Sequence, residues 1–217
     1  IIYGGVRIGG NMALISALIT ELRTDISDDA STRFTDAKLL NLFKKAIRRA
    51  NRIVQRNGIQ FAKSKSAINT SATLDYVSLP ATFDVWHGLY RDDTHKEIPK
   101  RTEQEWETIY SATALEQCLL DQANSLIYFN GTPGAVVALT LWYYPAIDPA
   151  AYTVGTSTPW SGRIDDIIME YVGLRAKNID EMDASFDQAL LQDMESQILS
   201  AYSSNAPSIV EGAGWLP

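Results

Sequence analysis

The sequence predicts an α+β fold, a helical bundle of two N-terminal and two C-terminal helices with an inserted small antiparallel β section. Apolar residues recur at three- and four-residue spacing near both ends of the chain, over residues 12–58 and 163–202. Over residues 66–145 the spacing shifts towards two, and turn residues separate short apolar runs. Because helices and strands are segregated rather than alternating, the pattern is typical of the α+β class.

The composition excludes several classes of protein. With 217 residues, 46% hydrophobic and 21% charged, the chain is long and apolar enough for one globular domain with a sizeable insertion. A single cysteine, Cys118, forms no internal disulfide or cysteine-based zinc site, and only His87 and His95 could offer imidazole ligands. Apolar runs such as 135–139 are too short for a membrane span, so we expect neither membrane insertion nor classical secretion.

The first helix is expected to begin near Met12. Residues 1–11 read IIYGGVRIGGN and show no periodicity, so we expect an extended arm or a cloning remnant there. The helix then ends in the polar stretch SDDAST. Its predicted apolar stripe consists of Leu14, Ala17, Leu18, Leu22 and Ile26.

The second helix has clear start and stop signals. It is predicted to begin at Thr35, with Asp36 in its first turn, and to end at Asn57 and Gly58. Its apolar stripe consists of Leu39, Leu42, Phe43, Ala46, Ile47, Ala50, Ile53 and Val54.

The opposite face of this second helix is basic. Between Arg33 and Lys65 there are ten Lys or Arg residues and one acid, Asp36, so this stretch carries +9 and the rest of the chain −16. Such asymmetry indicates an acidic protein partner or a nucleic acid, although a solvated helix face is the simpler alternative. The cations at helical spacing are Lys45, Arg48, Arg49, Arg52 and Arg56.

The β section is predicted from turn residues between apolar runs. A strand ending at Leu79 and Pro80 comes first, and 84–91 with 96–100 is predicted to form a hairpin. A second hairpin is predicted between 125–129 and 135–144, because the connecting residues NGTPG favour a turn.

One short helix is expected within this section. Thr102 and Glu105 match a capping box, which predicts a helix over Glu103–Tyr110. Its apolar side chains would be Trp106, Ile109 and Tyr110.

A long proline-containing loop is predicted over 145–162, and loops of this length are usually functional or braced by a partner. Two helices follow, up to Tyr202, with core-spaced residues from Ile164 onward and an acidic linker at 180–183. Residues 203–217 have no periodicity and are expected to form a tail. We therefore expect one main domain over 12–202.

Candidate catalytic groups are few, and we expect neither an enzyme nor a bound cofactor or metal. Nucleophile-elbow and phosphate-loop motifs are absent from the sequence. Asp165, Asp166 and Glu170 could form a carboxylate metal site, but acids at a helix start are explained more simply by the helix dipole. Cys118 is expected to be a buried structural thiol, and the two histidines are expected to be structural.

Aromatic residues outside any local core are candidate interface anchors. Trp106 and Trp142 fit core positions, whereas Trp160 lies in the loop and Trp215 in the tail. Together with Tyr152, these two are predicted to contact another subunit or a partner, because amphipathic aromatics are favoured at interfaces.

Three segments, in this order, carry a family resemblance: FTDAKLLNLFKKAIRRANR, VSLPATFDVWHGLYRDDTHKEIPKRTEQEWE and LIYFNGTPGAVVALTLWYYPAI. They lie within 12–202, between an N-terminal helix and a closing helical pair. In this order they resemble the head-to-tail adaptor proteins of tailed bacteriophages, especially short-tailed ones. The arm 1–11 and the tail 203–217 lie outside the match.

The resemblance implies a structural virion protein at the head–tail interface, made in the host cytoplasm. It implies a ring, usually of twelve copies, that docks on the portal protein, offers a platform for the tail nozzle or tail proteins, and surrounds the path of the genomic DNA. Under this reading the basic helix would face the portal or the DNA, whose binding would be independent of sequence.

Two alternatives remain open at this point. The basic helix over 35–57 could belong to a sequence-nonspecific nucleic-acid-binding protein, although no aromatic residues interleave with its charges. Another virion or assembly protein would have the same composition. No membrane partner is expected.

Overall fold

The computed structural model describes residues 13–28, 30–31, 33–107, 114–178 and 184–202. The fold is α+β, as the sequence predicts, and the chain divides into two compact units. Unit 1 comprises residues up to 61 and from 147 onward, and unit 2 is Ala62–Ala146. In chain order the elements are α1 Ile15–Asp25, α2 Asp36–Arg56, β1 Ser64–Asn69, β2 Tyr76–Ser78, β3 Phe83–Arg91, β4 Lys100–Arg101, α3 Glu103–Trp106, β5 Cys118–Asp121, β6 Leu126–Phe129, β7 Ala138–Pro145, α4 Asp165–Lys177 and α5 Ala184–Tyr202.

Helix α2 forms as predicted. The Thr35 hydroxyl caps it by accepting a hydrogen bond from the Lys38 amide at 3.3 Å. At the other end Gly58 has φ +67°, the left-handed conformation that glycine adopts easily after a helix. All eight residues of the predicted apolar stripe are buried, so α2 is the central helix of unit 1 and packs against α1, α4 and α5.

The predicted stripe of α1 is partly wrong. Ile15 and Ile19, outside the predicted stripe, are buried. Leu18 and Leu22 are buried as predicted, whereas Ala17 is exposed and Leu14 is 46% exposed. The cause is a contact with a distant segment, because Leu14 forms a β-bridge with Ser157 and the helix begins one residue later. The backbone amides of Ile15 and Ser16 donate to carbonyl oxygens of the 145–162 loop, which satisfies amides that the helix leaves unpaired.

Helices α4 and α5 close unit 1. Gly173 of α4 faces α1 closely, since a Cβ at this position would lie 3.2 Å from Leu22 Cδ1. Arg175 of α4 pairs with Asp187 of α5 at 2.8 Å. No helix in the described part of the chain has the length and hydropathy that a membrane span requires.

A buried arginine organises the turn between α1 and α2. The Arg23 guanidinium donates to the Asp28 carboxylate at 3.1 Å, to the Phe34 carbonyl at 2.8 Å and to Asp36 at 2.5 Å. Asp28 in turn accepts from the amides of Arg33 and Phe34, each at 2.9 Å. This network fixes the course of the turn, because a charge removed from water must keep its partners.

We predict that Arg23→Ala lowers the free energy of unfolding by about 3–5 kcal/mol, because it removes one partner of the buried Arg23–Asp28 ion pair. Urea unfolding followed by circular dichroism measures the change. Asp25→Asn, an exposed change in the same helix, is the control and should stay within about 0.5 kcal/mol. A loss below about 1 kcal/mol for Arg23→Ala would contradict a structural role for the network.

Unit 2 contains two sheets rather than two consecutive hairpins. One sheet has the order β1-β7-β3 and the other the order β2-β6-β5-β4. The predicted hairpin between 125–129 and 135–144 is therefore wrong, because β6 pairs with β2 and β5 whereas β7 pairs with β1 and β3. The turn residues at 130–134 carry the chain from one sheet to the other.

The other predicted hairpin is confirmed in part. Tyr90 forms an antiparallel bridge with Glu97, and the Ile98 amide donates to the Leu89 carbonyl at 2.8 Å. Beyond Ile98 the chain joins the second sheet, where β4 pairs in parallel with β5. This is the one parallel pair among the described strands.

The capping box of α3 is confirmed. The Glu105 amide donates to the Thr102 hydroxyl at 3.3 Å, and the Thr102 amide donates to the Glu105 carboxylate at 2.9 Å. Of the predicted side chains only Trp106 is described, since Ile109 and Tyr110 lie outside the described residues.

The core of unit 2 contains side chains from both sheets, among them Leu139 and Leu141 of β7 and Ile127 of β6. Cys118 is fully buried among them, as expected, and burial raises the pKa of its thiol to about 12. The thiol is therefore neutral at physiological pH and unsuited to act as a nucleophile.

A lysine–histidine pair lies in unit 2. The Lys63 ammonium donates to His87 Nε2 at 2.7 Å, which requires a neutral imidazole. Burial lowers the pKa of His87, the Lys63 charge lowers it further, and Glu97 opposes the change. The His87 ring also contacts the Tyr144 ring edge-on, with 6.3 Å between centroids.

We predict that stability falls as the pH drops below 6.5, the ordinary pKa of histidine, and continues to fall through the lowered pKa of folded His87. In that window the unfolded chain binds a proton that the folded chain does not. NMR titration of the His87 ring and unfolding at several pH values measure this. His87→Gln should flatten the dependence, because it removes the group that titrates. An unchanged pH dependence in this variant would contradict the assignment.

Candidate interaction surface

The five predicted cations of α2 fall into two groups. Arg49 and Arg56 contact neighbouring helices of unit 1. The Arg49 guanidinium lies over the Tyr171 ring of α4, 5.4 Å from its centroid, in a cation–π arrangement. Arg56 pairs with Glu195 of α5, whose carboxylate also accepts from the Asn57 amide group at 3.2 Å. These hydrogen bonds lower the pKa of Glu195, with Arg56 as the main cause.

Lys45, Arg48 and Arg52 form the second group, which we call the basic ridge. All three are exposed and lie opposite the buried stripe of α2. Within the described ranges of the chain, none of them has a carboxylate within ion-pair distance. The fold therefore places three uncompensated positive charges side by side on one helix face.

The predicted aromatic anchors lie in different settings. Trp160 and Tyr152 are both half-buried in the 145–162 loop, and burial followed by the Asp148 charge raises the pKa of Tyr152. The Trp160 ring contacts Phe61 edge-on, with 6.4 Å between centroids. Phe61 also contacts the Tyr202 ring at 4.6 Å, at the end of α5. Trp215 lies outside the described residues.

The backbone around Trp160 is left-handed over three consecutive residues. Trp160 has φ +62°, Ser161 φ +56° and Gly162 φ +74°. This conformation costs an L-residue about 1–2 kcal/mol, so it persists only where neighbouring contacts hold it. The Thr158 hydroxyl donates to the buried Asp165 carboxylate directly beyond the turn, and burial raises the pKa of Asp165.

The three carboxylates considered for a metal site do not converge. Asp165 is buried and bound to Thr158, whereas Asp166 and Glu170 are exposed, and Glu170 accepts from Gln197 at 3.0 Å. Among the residues that the structure describes, no group of three or more His, Cys, Asp or Glu side chains is arranged to hold a metal ion.

Comparison with known protein families identifies the chain. The model of the SU10 adaptor protein family matches residues 14–210, nearly the whole sequence. The chain belongs to the SU10 adaptor protein family. A search of curated proteins finds no match.

Family membership confirms the phage-adaptor resemblance seen in the sequence. The SU10-type adaptor is a structural component of the phage virion that assembles with portal and tail proteins, and its family is not an enzyme family. The match includes both units, and therefore the basic ridge and the left-handed turn at Trp160.

The contacts that Tyr171 and Glu195 make with the cations of α2 were not predicted from the sequence. Glu195 lies 139 residues from Arg56, and nothing in the local pattern of either helix indicates the contact. The acidic character of α5 was the available signal, since it predicts an ion pair with a basic helix without naming the residues.

We predict that Gly162→Ala destabilises the adaptor by about 1–2 kcal/mol, because the residue has φ +74° and a Cβ would lie 3.0 Å from the Asp165 carboxylate. Thermal unfolding measures the loss. Gly155→Ala, in the same loop, is the control, because its Cβ would meet only Thr153 Oγ1 at 3.9 Å. Equal melting temperatures for the two variants would contradict the role of the left-handed turn.

Proposed function

We propose that this chain is the head-to-tail adaptor of a short-tailed phage and that it assembles as a ring, with twelve copies expected, beneath the portal. The ring would link the capsid to the tail nozzle and surround the channel through which the genome leaves. Membership of the SU10 adaptor family is the observation that carries this proposal. The protein would be made in the host cytoplasm and retained in the virion.

The basic ridge is our candidate for the portal contact. Three exposed cations without acidic partners in the described part of the subunit are accessible to the anionic groups of a partner. In a ring the charge is multiplied by the number of copies, so attraction to an acidic surface is strong at low salt and weak at high salt. Genomic DNA is the other possible partner, but a channel that binds DNA tightly would hinder its ejection.

The 145–162 loop is our candidate for contacts with a neighbouring subunit or with the tail. Trp160 and Tyr152 are only half-buried, and aromatic residues of this kind contribute most to binding when a partner covers them. Trp215, in the segment after α5, is proposed for the same role on the basis of its sequence context.

The test is assembly on phage heads. We expect the wild-type protein to form a ring on filled, tailless heads at the portal vertex, as seen by electron microscopy and by the mass from light scattering. The triple change Lys45→Glu, Arg48→Glu and Arg52→Glu should abolish docking, because it reverses the ridge without altering the buried stripe. Arg49 and Arg56 are left unchanged, since both have contacts within the subunit.

The control changes the same net charge elsewhere: Lys96→Glu, Lys100→Glu and Lys177→Glu, all at exposed positions. This variant should dock like the wild type. Docking by the ridge variant would show that the ridge is only solvated. A small oligomer that ignores heads would contradict the adaptor proposal itself, and retention on duplex DNA at low salt would favour a nucleic-acid-binding function.

A further inference from the structure

A groove with a volume of about 340 Å³ runs between α2 and α5 and shares Arg52 with the basic ridge. The α2 residues that line it follow helical spacing and therefore lie along one strip of the helix. The α5 residues lie one turn apart. The lining residues are Arg49, Arg52, Ile53, Arg56, Leu191 and Glu195.

The groove combines an apolar floor with a cationic rim. Ile53 is 8% exposed and forms the floor, whereas Leu191 is half-buried and offers apolar surface to an incoming side chain. Three guanidinium groups line the groove around these two side chains, whereas the lining contains one carboxylate, that of Glu195. The groove therefore has an excess of positive charge next to an apolar surface.

The subunit itself shows which chemical group this rim accepts. The Glu195 carboxylate binds Arg56 and the Asn57 amide group, and these hydrogen bonds lower its pKa. Arg49 is held by the Tyr171 ring, whereas Arg52 is exposed and lacks a carboxylate partner among the described residues. Arg52 is thus the open position for a second carboxylate, since a guanidinium matches carboxylate geometry well.

We infer that the α2–α5 groove binds an acidic segment of the portal protein, which places a carboxylate on Arg52 and an aliphatic or aromatic side chain on Leu191 and Ile53. This inference rests on the proposed function, because it names the chemistry of the partner at the α2 surface. Phosphodiester backbones carry no apolar side chain for the floor, and the Glu195 carboxylate repels them. The groove therefore fits a protein segment better than DNA.

Glu195 then limits the affinity of the free subunit. The Glu195 carboxylate is already paired with the Arg56 guanidinium, so an incoming carboxylate must share that guanidinium or displace Glu195. Removing the charge of Glu195 leaves three cations and no acid in the groove. Binding of an acidic partner should consequently become tighter, which a contact that served only to hold α5 would not produce.

The experiment measures the affinity of the full-length adaptor for portal protein purified from the same phage, by isothermal titration calorimetry. Leu191→Ala should weaken binding about tenfold through the lost apolar contact. Glu195→Gln should tighten it about three- to tenfold, because a competing carboxylate becomes neutral. A gain in affinity cannot result from failure to fold, so this variant keeps the test independent of stability.

Matched controls lie outside the groove. Leu174→Ala changes a half-buried leucine of α4, and Asp193→Asn removes an acidic charge of α5 two residues from Glu195. Neither should alter the affinity for the portal by more than about twofold, because exposed charges outside the contact contribute little.

The outcomes separate this inference from the function on which it rests. If wild-type affinity depends on Lys45 and Arg48 but neither Leu191→Ala nor Glu195→Gln changes it, the groove is not the contact and the adaptor function stands. If portal protein does not bind and rings do not form on heads, the proposed function itself fails. A third outcome would identify DNA, rather than a protein segment, as the ligand of the groove. In that case Arg52→Gln weakens binding of a 20-base-pair DNA duplex and of portal protein equally, and Leu191→Ala changes neither affinity.

Discussion

The buried Arg23 guanidinium is the interaction on which unit 1 depends. It joins α1 to the turn at Asp28 and to the first turn of α2, and Asp28 fixes two backbone amides of the same turn. This network holds the N-terminus of α2 against α1, while the buried stripe of α2 packs against α4 and α5. The rotation of the helix that buries this stripe also directs the basic ridge outward, so core and surface follow from one constraint.

Much of unit 1 could be predicted because α2 obeys local rules. The N-terminal cap, the apolar stripe and the glycine that ends the helix all lie within 24 residues of sequence, and the structure confirms each of them. Predictions were wrong where contacts with distant segments of the chain determine the local structure. Leu14 has the spacing of a core residue, but it forms a β-bridge with Ser157 instead. The NGTPG turn is compatible with a hairpin between β6 and β7, but β6 pairs with β2 and β5.

The candidate site follows the same division. Helical periodicity predicted five cations on one face of α2, and in the structure they fall into two groups with different surroundings. Which of them remain available depends on Tyr171 and Glu195, and these belong to helices that follow the 85-residue unit 2 in the sequence. Likewise Arg23 reads in the sequence as one more helix charge, and only the folded turn shows that it is buried. Contacts between distant segments, rather than composition, set the chemistry of this surface.

The pairing of β1 with β7 places the first and last strands of unit 2 side by side. Ser64 and Tyr143, near the two ends of this unit, are direct partners across the antiparallel pair, with about 5 Å between their Cα atoms. A folded insertion whose ends lie close together connects the two parts of unit 1 much as a short loop would. The length of the insertion therefore adds little to the entropic cost of loop closure. The adaptor architecture could therefore exchange or enlarge this module during evolution without redesigning the helical unit that carries it.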